Sequence, residues 1–109
     1  TGSDNLSLPF QICDYLKTHY SQKITGAVLE NIFHHNFDYM NRRFKQYTGM
    51  TIFTFLENYK IEQSKKLLQS WQFTISEIAE TLGFCNPFYF SRVFKKHEKI
   101  TPKEYQTKL

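Results

Sequence analysis

The chain has 109 residues, which is enough for one ordinary domain but too short for the large enzyme barrels and doubly wound sheets. Its 40% hydrophobic content, with 11 Phe and 7 Tyr, excludes a disordered tail, and its 4 Gly and 3 Pro argue against a turn-rich all-β fold. The net charge of +4 favours an anionic partner only weakly.

Apolar residues at helical spacing predict an all-α fold of about seven helices, because no alternating strand pattern extends beyond a few residues. In chain order, the predicted helices cover residues 6–20, a short segment after Thr25, residues 37–47, residues 52–69, the segment between Thr74 and Gly83, residues 87–97, and a short segment after Thr101.

Residues that favour helix ends separate these segments. Thr74 and Glu77 have the spacing of a capping box, as do Thr101 and Glu104. Thr51 is the predicted N-cap of the long fourth helix. The helix boundaries are therefore predicted independently of the apolar pattern.

The two cysteines, Cys13 and Cys85, lie far apart and form no CxxC pair, so we expect free thiols in a reducing cytosol. No apolar run approaches the ~20 residues of a membrane span, and the polar start is unlike a signal peptide. We predict a cytoplasmic protein with no membrane partner. We interpret residues 1–5 as a linker end or cloning remnant, and the absence of an initiator Met suggests a fragment of a longer protein.

The chain repeats itself at an offset of 50 residues, and at an offset of 49 upstream of the turn in each unit, where Thr25 matches Thr74. Each unit contains a short capped helix, a tight turn and a second helix, which is the helix-turn-helix pattern. Chance helix pairs would share apolar spacing but seldom cap residues and surface basic residues in register, so we predict a duplication with a shared surface function. Six identities fall within 16 residues: Asn36/Asn86, Tyr39/Tyr89, Arg42/Arg92, Phe44/Phe94, Lys45/Lys95 and Thr51/Thr101.

The outward faces of the two second helices carry residue types that suit the major groove of DNA. Arg can donate two hydrogen bonds to guanine, Asn and Ser can bond to base edges, and Lys neutralises phosphate. The alternative is that these residues only solubilise two surface helices. The faces hold Asp38, Asn41, Arg42 and Lys45 in the first unit, and Phe88, Ser91, Arg92 and Lys95 in the second.

Charge supports the second of these faces, because residues 92–109 hold six basic and two acidic side chains and alone supply +4. Phe88 can pack against a thymine methyl group. Asp38 can accept from cytosine N4, or it can orient Arg42.

Three stretches resemble the DNA-binding domain of the AraC/XylS family of bacterial transcription regulators: ISEIAETLGF at 75–84, FYFSRVFKK at 88–96 and TPKEY at 101–105. The resemblance covers about residues 8–107. It implies a first helix-turn-helix subdomain at 6–51, a connecting helix at 52–69 and a second subdomain at 70–109. It also implies recognition helices at about 37–47 and 87–97, in successive major-groove segments on one DNA face.

The same resemblance implies sequence-specific double-stranded DNA binding in transcription regulation. Family members commonly carry a separate sensing or dimerisation domain, here expected upstream, and we expect RNA polymerase as a further partner. Carried over by position, the base readers are Asp38, Asn41, Arg42, Asn86, Phe88, Ser91 and Arg92. Phosphate contacts are expected from Thr25, Lys45, Thr74, Lys95 and Lys96.

The rival interpretation is a protein-interaction module that docks on RNA polymerase or a sensor domain through its exposed aromatic residues. We expect neither an enzyme nor a cofactor, because nothing resembles a nucleophile with a base, a carboxylate pair or a phosphate-binding glycine loop. His34 and His35 suggest a metal site, but no third ligand is evident.

Two departures from the family pattern carry expectations of their own. Glu30 stands where the second unit has Ala79, so its charge must lie at the margin of the helix crossing or find a partner. Lys99 takes the place that Gly49 has in the first unit. Because a positive φ strains Lys, we expect its helix to end differently.

Overall fold

The computed structural model describes residues 7–109, and in that range it contains seven α-helices and no strand. The predicted all-α fold class is confirmed. The interpretation of residues 1–5 lies outside the described residues. The helices are α1 (Leu8–His19), α2 (Gly26–Phe33), α3 (Phe37–Thr48), α4 (Ile52–Ser70), α5 (Ile75–Thr81), α6 (Pro87–Glu98) and α7 (Pro102–Thr107).

The chain divides into two compact units, Thr1–Leu56 and Glu57–Leu109. The division lies inside α4, so residues 52–56 belong to the first unit and the remainder of the helix to the second. Each unit therefore contains its own pair of short helices, α2 with α3 and α5 with α6, in the helix-turn-helix order.

The core of the first unit is formed by one face of each of its helices. Helix α1 packs against α3, and the ring of Phe55 meets that of Phe44 edge-on, with 5.3 Å between centroids. Full burial of each such side chain contributes about 1.5–3 kcal/mol. The buried residues are Ile12, Leu16, Leu29, Met40, Phe44, Ile52 and Leu56.

The core of the second unit has the same plan. The rings of Phe94 and Tyr105 meet edge-on at 5.5 Å, which joins α7 to α6. The fully or almost fully buried apolar residues are Ile61, Leu68, Ile78, Ala79, Leu82, Phe90, Val93 and Phe94.

Between residues 7 and 109, three residues other than glycine adopt the left-handed conformation, namely His34 (φ 59°), Trp71 (φ 59°) and Lys99 (φ 72°). The N–H of Lys99 donates to the carbonyl of Lys95 at 2.8 Å, as Gly49 does to Lys45. The expectation that α6 ends differently from α3 is therefore wrong. The left-handed residue satisfies a carbonyl that would otherwise lack a partner, and this outweighs the strain on Lys99.

Candidate nucleic-acid interface

Helix α3 begins with its first three N–H groups bonded to side chains. Asn36 Oδ1 accepts from the N–H groups of Asp38 (2.9 Å) and Tyr39 (3.3 Å). Glu30 Oε2 accepts from the N–H of Phe37 at 2.7 Å. The sequence predicted that the charge of Glu30 lies at the margin of the helix crossing or finds a partner, and this bond to Phe37 is such a partner.

The outward face of α3 presents three charged side chains to solvent. Asp38, Arg42 and Lys45 are all exposed. Within residues 7–109, the side-chain carboxylate of Asp38, the guanidinium of Arg42 and the ammonium of Lys45 form no hydrogen bond or ion pair. They are therefore available to an external partner.

Asn41 lies at the edge of this face and is already engaged. Its side chain is half-buried, and its Oδ1 accepts from the N–H of Ile52 at 2.8 Å. Thr51, the predicted N-cap of α4, accepts only a long 3.4 Å bond from Thr54. The bond to α4 uses one lone pair of the Asn41 oxygen and leaves its amide nitrogen for a further partner.

Helix α6 presents the equivalent face of the second unit. Phe88 is 81% exposed in its first turn, and Arg92 is exposed one turn later. Ser91 is half-buried beside Arg92. Asn86 caps the helix: its Oδ1 accepts from the N–H of Tyr89 at 2.7 Å, and its Nδ2 donates to Cys85 Sγ at 3.5 Å, so part of its hydrogen-bonding capacity is already used.

The two predicted phosphate-binding threonines are both N-caps. Thr25 Oγ1 accepts from the N–H of Val28 at 3.2 Å, and Thr74 Oγ1 accepts from that of Glu77 at 3.1 Å. Glu77 in turn accepts from the N–H of Thr74, which completes the predicted capping box. Each hydroxyl keeps its own hydrogen for a phosphate oxygen.

The predicted phosphate-binding lysines differ in their surroundings. Lys45 and Lys95 are exposed, and Lys96 is 71% exposed with its Nζ 3.4 Å from Glu57 Oε1. The face of α6 therefore carries Lys95 and Lys96 beside its Arg, whereas the face of α3 combines Lys45 with Asp38. The second face is the more positive of the two.

Within the second unit, α4 supports the turn between α5 and α6. The ammonium of Lys60 lies 5.1 Å from the ring centroid of Phe84, and that ring lies 5.1 Å from Phe90. Burial lowers the pKa of Lys60 from its usual 10.5, against the opposing charge of Glu57. The cation–π contact compensates part of the desolvation of this ammonium group.

A second charged residue of α4 bonds directly to α6. Lys65 Nζ lies 2.9 Å from Glu98 Oε2 and 2.8 Å from Glu62 Oε2. Burial acts to lower the pKa of Lys65, but the hydrogen bonds and charges of the two carboxylates outweigh it and raise the pKa. This pairing helps fix α6 on α4.

Gln46 is an exposed residue of α3 that we did not predict as a contact. It follows Arg42 by four residues and so lies on the same face. The repeat register could have identified it, because Gln46 is equivalent to Lys96.

In the part of the chain that the structure describes, no three His, Cys, Asp or Glu side chains group as metal ligands. His34 and His35 are both exposed, and the ring of His35 lies 5.4 Å from that of Tyr39. No helix between residues 7 and 109 is both long and apolar enough to cross a membrane.

A family profile described as "Helix-turn-helix domain" matches residues 29–108, which is most of the chain. The chain belongs to the AraC-type helix-turn-helix family. This confirms the resemblance noted from the sequence. AraC-type domains are the DNA-binding domains of transcription regulators and are not an enzymatic family, so the predicted function is confirmed at the level of the family.

Individual relatives agree with this assignment. The uncharacterized HTH-type transcriptional regulator YisR of Bacillus subtilis is 37% identical over 92 residues, which cover 84% of this chain and 32% of YisR. This AraC-type chain spans about a third of the length of the curated relatives it matches.

Solved structures show the same two-unit fold. The C-terminal domain of AraT, a response regulator from Geobacillus stearothermophilus, superposes with a TM-score of 0.91 at 29% identity, covering 96% of this chain and 88% of that one. The DNA-binding domain of AdpA, solved in complex with a target DNA, has a TM-score of 0.86 at 19% identity, with 94% and 92% covered. The likeness to AdpA concerns the fold alone.

Proposed function

We propose that this domain binds double-stranded DNA sequence-specifically, with α3 and α6 as the recognition helices of its two units. The observation that carries the proposal is the pair Arg42 and Arg92. Each is exposed on the outward face of the second helix of a helix-turn-helix, in the same register of the repeat. Such a helix normally enters the major groove with this face toward the bases.

The charged and aromatic residues of these faces have separate roles in the proposal. Arg42 and Arg92 donate to guanine O6 and N7, and each bidentate pair discriminates by about 1–3 kcal/mol. Asp38 accepts from cytosine N4, and Phe88 packs against a thymine methyl group. Ser91, half-buried beside Arg92, bonds to a base edge through its hydroxyl.

The remaining residues contact the sugar-phosphate backbone. Lys45, Lys95 and Lys96 neutralise phosphates, and Thr25 and Thr74 donate their hydroxyl hydrogens at the starts of α2 and α5. These contacts set the position of the domain but do not read sequence. Affinity should therefore fall steeply as salt rises.

The test begins with selection of binding sites from a random DNA pool. The wild-type domain should enrich one sequence, and Arg92→Ala should lose about 1–3 kcal/mol of discrimination at a single base pair. Lys95→Ala should weaken all duplexes alike and reduce the salt slope by about one. Lys66→Ala, which removes an exposed charge from α4, is the matched control.

Failure to enrich any sequence, with equal weak binding to all duplexes, would contradict the proposal. It would favour the protein-interaction module as the function of the domain.

We further propose that the domain works in the cytoplasm within a longer regulator that contains a sensing or dimerisation domain and contacts RNA polymerase. The regulators it resembles, in which the matched segment is about a third of the length, support this proposal. Transcription by purified RNA polymerase from a promoter that carries the selected site should change when the full-length protein is added. An unchanged transcript level would contradict it.

A further inference from the structure

The two units differ at the first residue of two equivalent helices. In the second unit, α6 and α7 begin with Pro87 and Pro102, which have no N–H to satisfy. In the first unit, the equivalent helices α3 and α4 begin with Phe37 and Ile52. Both of these residues carry an N–H that lies outside the helical hydrogen-bond ladder and needs another acceptor.

Glu30 supplies the first of these acceptors. Its Oε2 lies 2.7 Å from the N–H nitrogen of Phe37, so a side chain of α2 bonds to the start of α3. In the second unit the equivalent pair is Ala79 and Pro87, in which neither the acceptor nor the N–H exists. The carboxylate also lies at the positive end of the α3 dipole, where negative charge is stabilising.

Asn41 supplies the second acceptor. Its Oδ1 lies 2.8 Å from the nitrogen of Ile52, so a side chain of α3 bonds to the start of α4. The equivalent pair in the second unit is Ser91 and Pro102, which again has no N–H to satisfy. In both cases a side chain accepts from the first N–H of the helix in the first unit, and the equivalent helix of the second unit begins with proline and has no such N–H.

We propose that Glu30 and Asn41 are positioning residues of the first recognition helix. Glu30 anchors the N-terminus of α3 to α2, and Asn41 anchors its middle to α4. The inference rests on the proposed function and departs from the sequence-based prediction for Asn41, which then acts on DNA through the orientation of α3 and not by reading a base. A helix turns about 100° per residue, so Asn41 lies to the side of the direction in which Arg42 points.

Asn41→Ala, Asn41→Asp and Arg42→Ala separate these roles. Asn41→Ala should lower the thermal midpoint of the free domain by about 4 °C, the usual effect of a lost cap. It should weaken the selected site and all its single-base variants by one common factor. Asn41→Asp keeps an acceptor oxygen and should restore the midpoint. Arg42→Ala should leave the midpoint unchanged and alter preference at one base pair.

Either of two results would overturn the role of Asn41. One is a change in base preference at a single position in Asn41→Ala, as a base reader requires. The other is an unchanged thermal midpoint in that variant, since the cap would then contribute nothing.

Glu30 is tested with Phe37→Pro in a double-mutant cycle. Proline removes the N–H that Glu30 accepts, so Phe37→Pro should lower the midpoint less in the Glu30→Ala background than in the wild type. The stacking of Phe37 on Phe53, 5.5 Å between centroids, is lost in both backgrounds and cancels. Glu30→Gln keeps an acceptor and should resemble the wild type. Strictly additive effects would show that the bond does not position the helix.

These results are distinguishable from failure of the proposed function. If the wild-type domain selects no DNA site, the function is wrong and the positioning role falls with it. The thermal midpoints need no DNA and decide separately whether Glu30 and Asn41 hold α3. If the wild type selects a site and the variants behave as base readers, only the further inference is wrong.

Discussion

Glu57 on α4 and His97 on α6 are joined by a 2.9 Å contact between Oε1 and Nε2. The same carboxylate oxygen lies 3.4 Å from Nζ of Lys96, a predicted phosphate contact. Glu57 thus helps to hold α6 and, under the proposed function, would compete with DNA phosphates for Lys96.

Replacing Glu57 should therefore have opposite effects on stability and on DNA affinity. Glu57→Ala removes the bond to His97 and should cost about 0.5–1.5 kcal/mol of the free energy of unfolding. It should strengthen binding at low salt by a few-fold, because Lys96 no longer has a competing carboxylate. Denaturant unfolding and duplex titration measure the two effects. The control is Glu80→Ala, which removes an exposed carboxylate of α5. A loss of affinity on Glu57→Ala would contradict the competition.

The left-handed residue at the end of α6 should be a point where stability can be gained. Lys99→Gly relieves a strain of about 1–2 kcal/mol and costs about 0.5–1 kcal/mol in backbone entropy, so we expect a net gain of about 0.5–1 kcal/mol. Lys99→Ala removes the same charge but keeps the strained conformation, so it should give no gain. Equal denaturant midpoints for the two variants would show that Lys99 is not strained.

Phe88 should make binding sensitive to one thymine methyl group. Replacing each dT of the selected site by dU should weaken wild-type binding at one position by about four-fold, the value of one buried carbon of about 0.8 kcal/mol. Phe88→Ala should bind both duplexes equally well. Phe73→Ala, which removes another exposed aromatic ring, should retain the wild-type response. A wild-type domain indifferent to every dU would contradict the contact.

Glu104 should make stability depend on pH in the acid range. A hydrogen bond from the backbone N–H of Thr101 lowers the pKa of Glu104 below its usual 4.5. The contribution of the ionised carboxylate is therefore fully present above pH 4.5 and is lost as pH falls through the lowered pKa.

The difference in unfolding free energy between wild type and Glu104→Ala should shrink as the pH is lowered below 4.5. Denaturant titrations at pH 3 to 7 measure it. Glu80→Ala, which removes an exposed carboxylate of α5, corrects for the change in net charge. If the difference in unfolding free energy stays constant between pH 3 and pH 7, the ionised Glu104 of the capping box is not its source.

The positions of the seven helices could be predicted from the sequence because their signals are local. The capping box of Thr74 with Glu77 acts across a single turn, and Pro87 fixes the backbone at its own position. The predicted 52–69 helix is accordingly observed as Ile52–Ser70. The exposure of Arg42 and Arg92 at equivalent positions of the repeat also follows from the sequence, because the helical period determines which side chains face outward.

The partners of the polar side chains were decided by the tertiary structure. Asn41 meets the N–H of Ile52 eleven residues away, and Glu57 meets His97 forty residues away. No local pattern encodes these bonds, because they exist only where packed helices bring the two groups within about 3 Å. Lys99 illustrates the same limit. The hydrogen bond from its N–H to the Lys95 carbonyl outweighs the preference of lysine for a negative φ. The sequence by itself therefore determined which faces of α3 and α6 are exposed, whereas packing decided which side chains on them are already engaged.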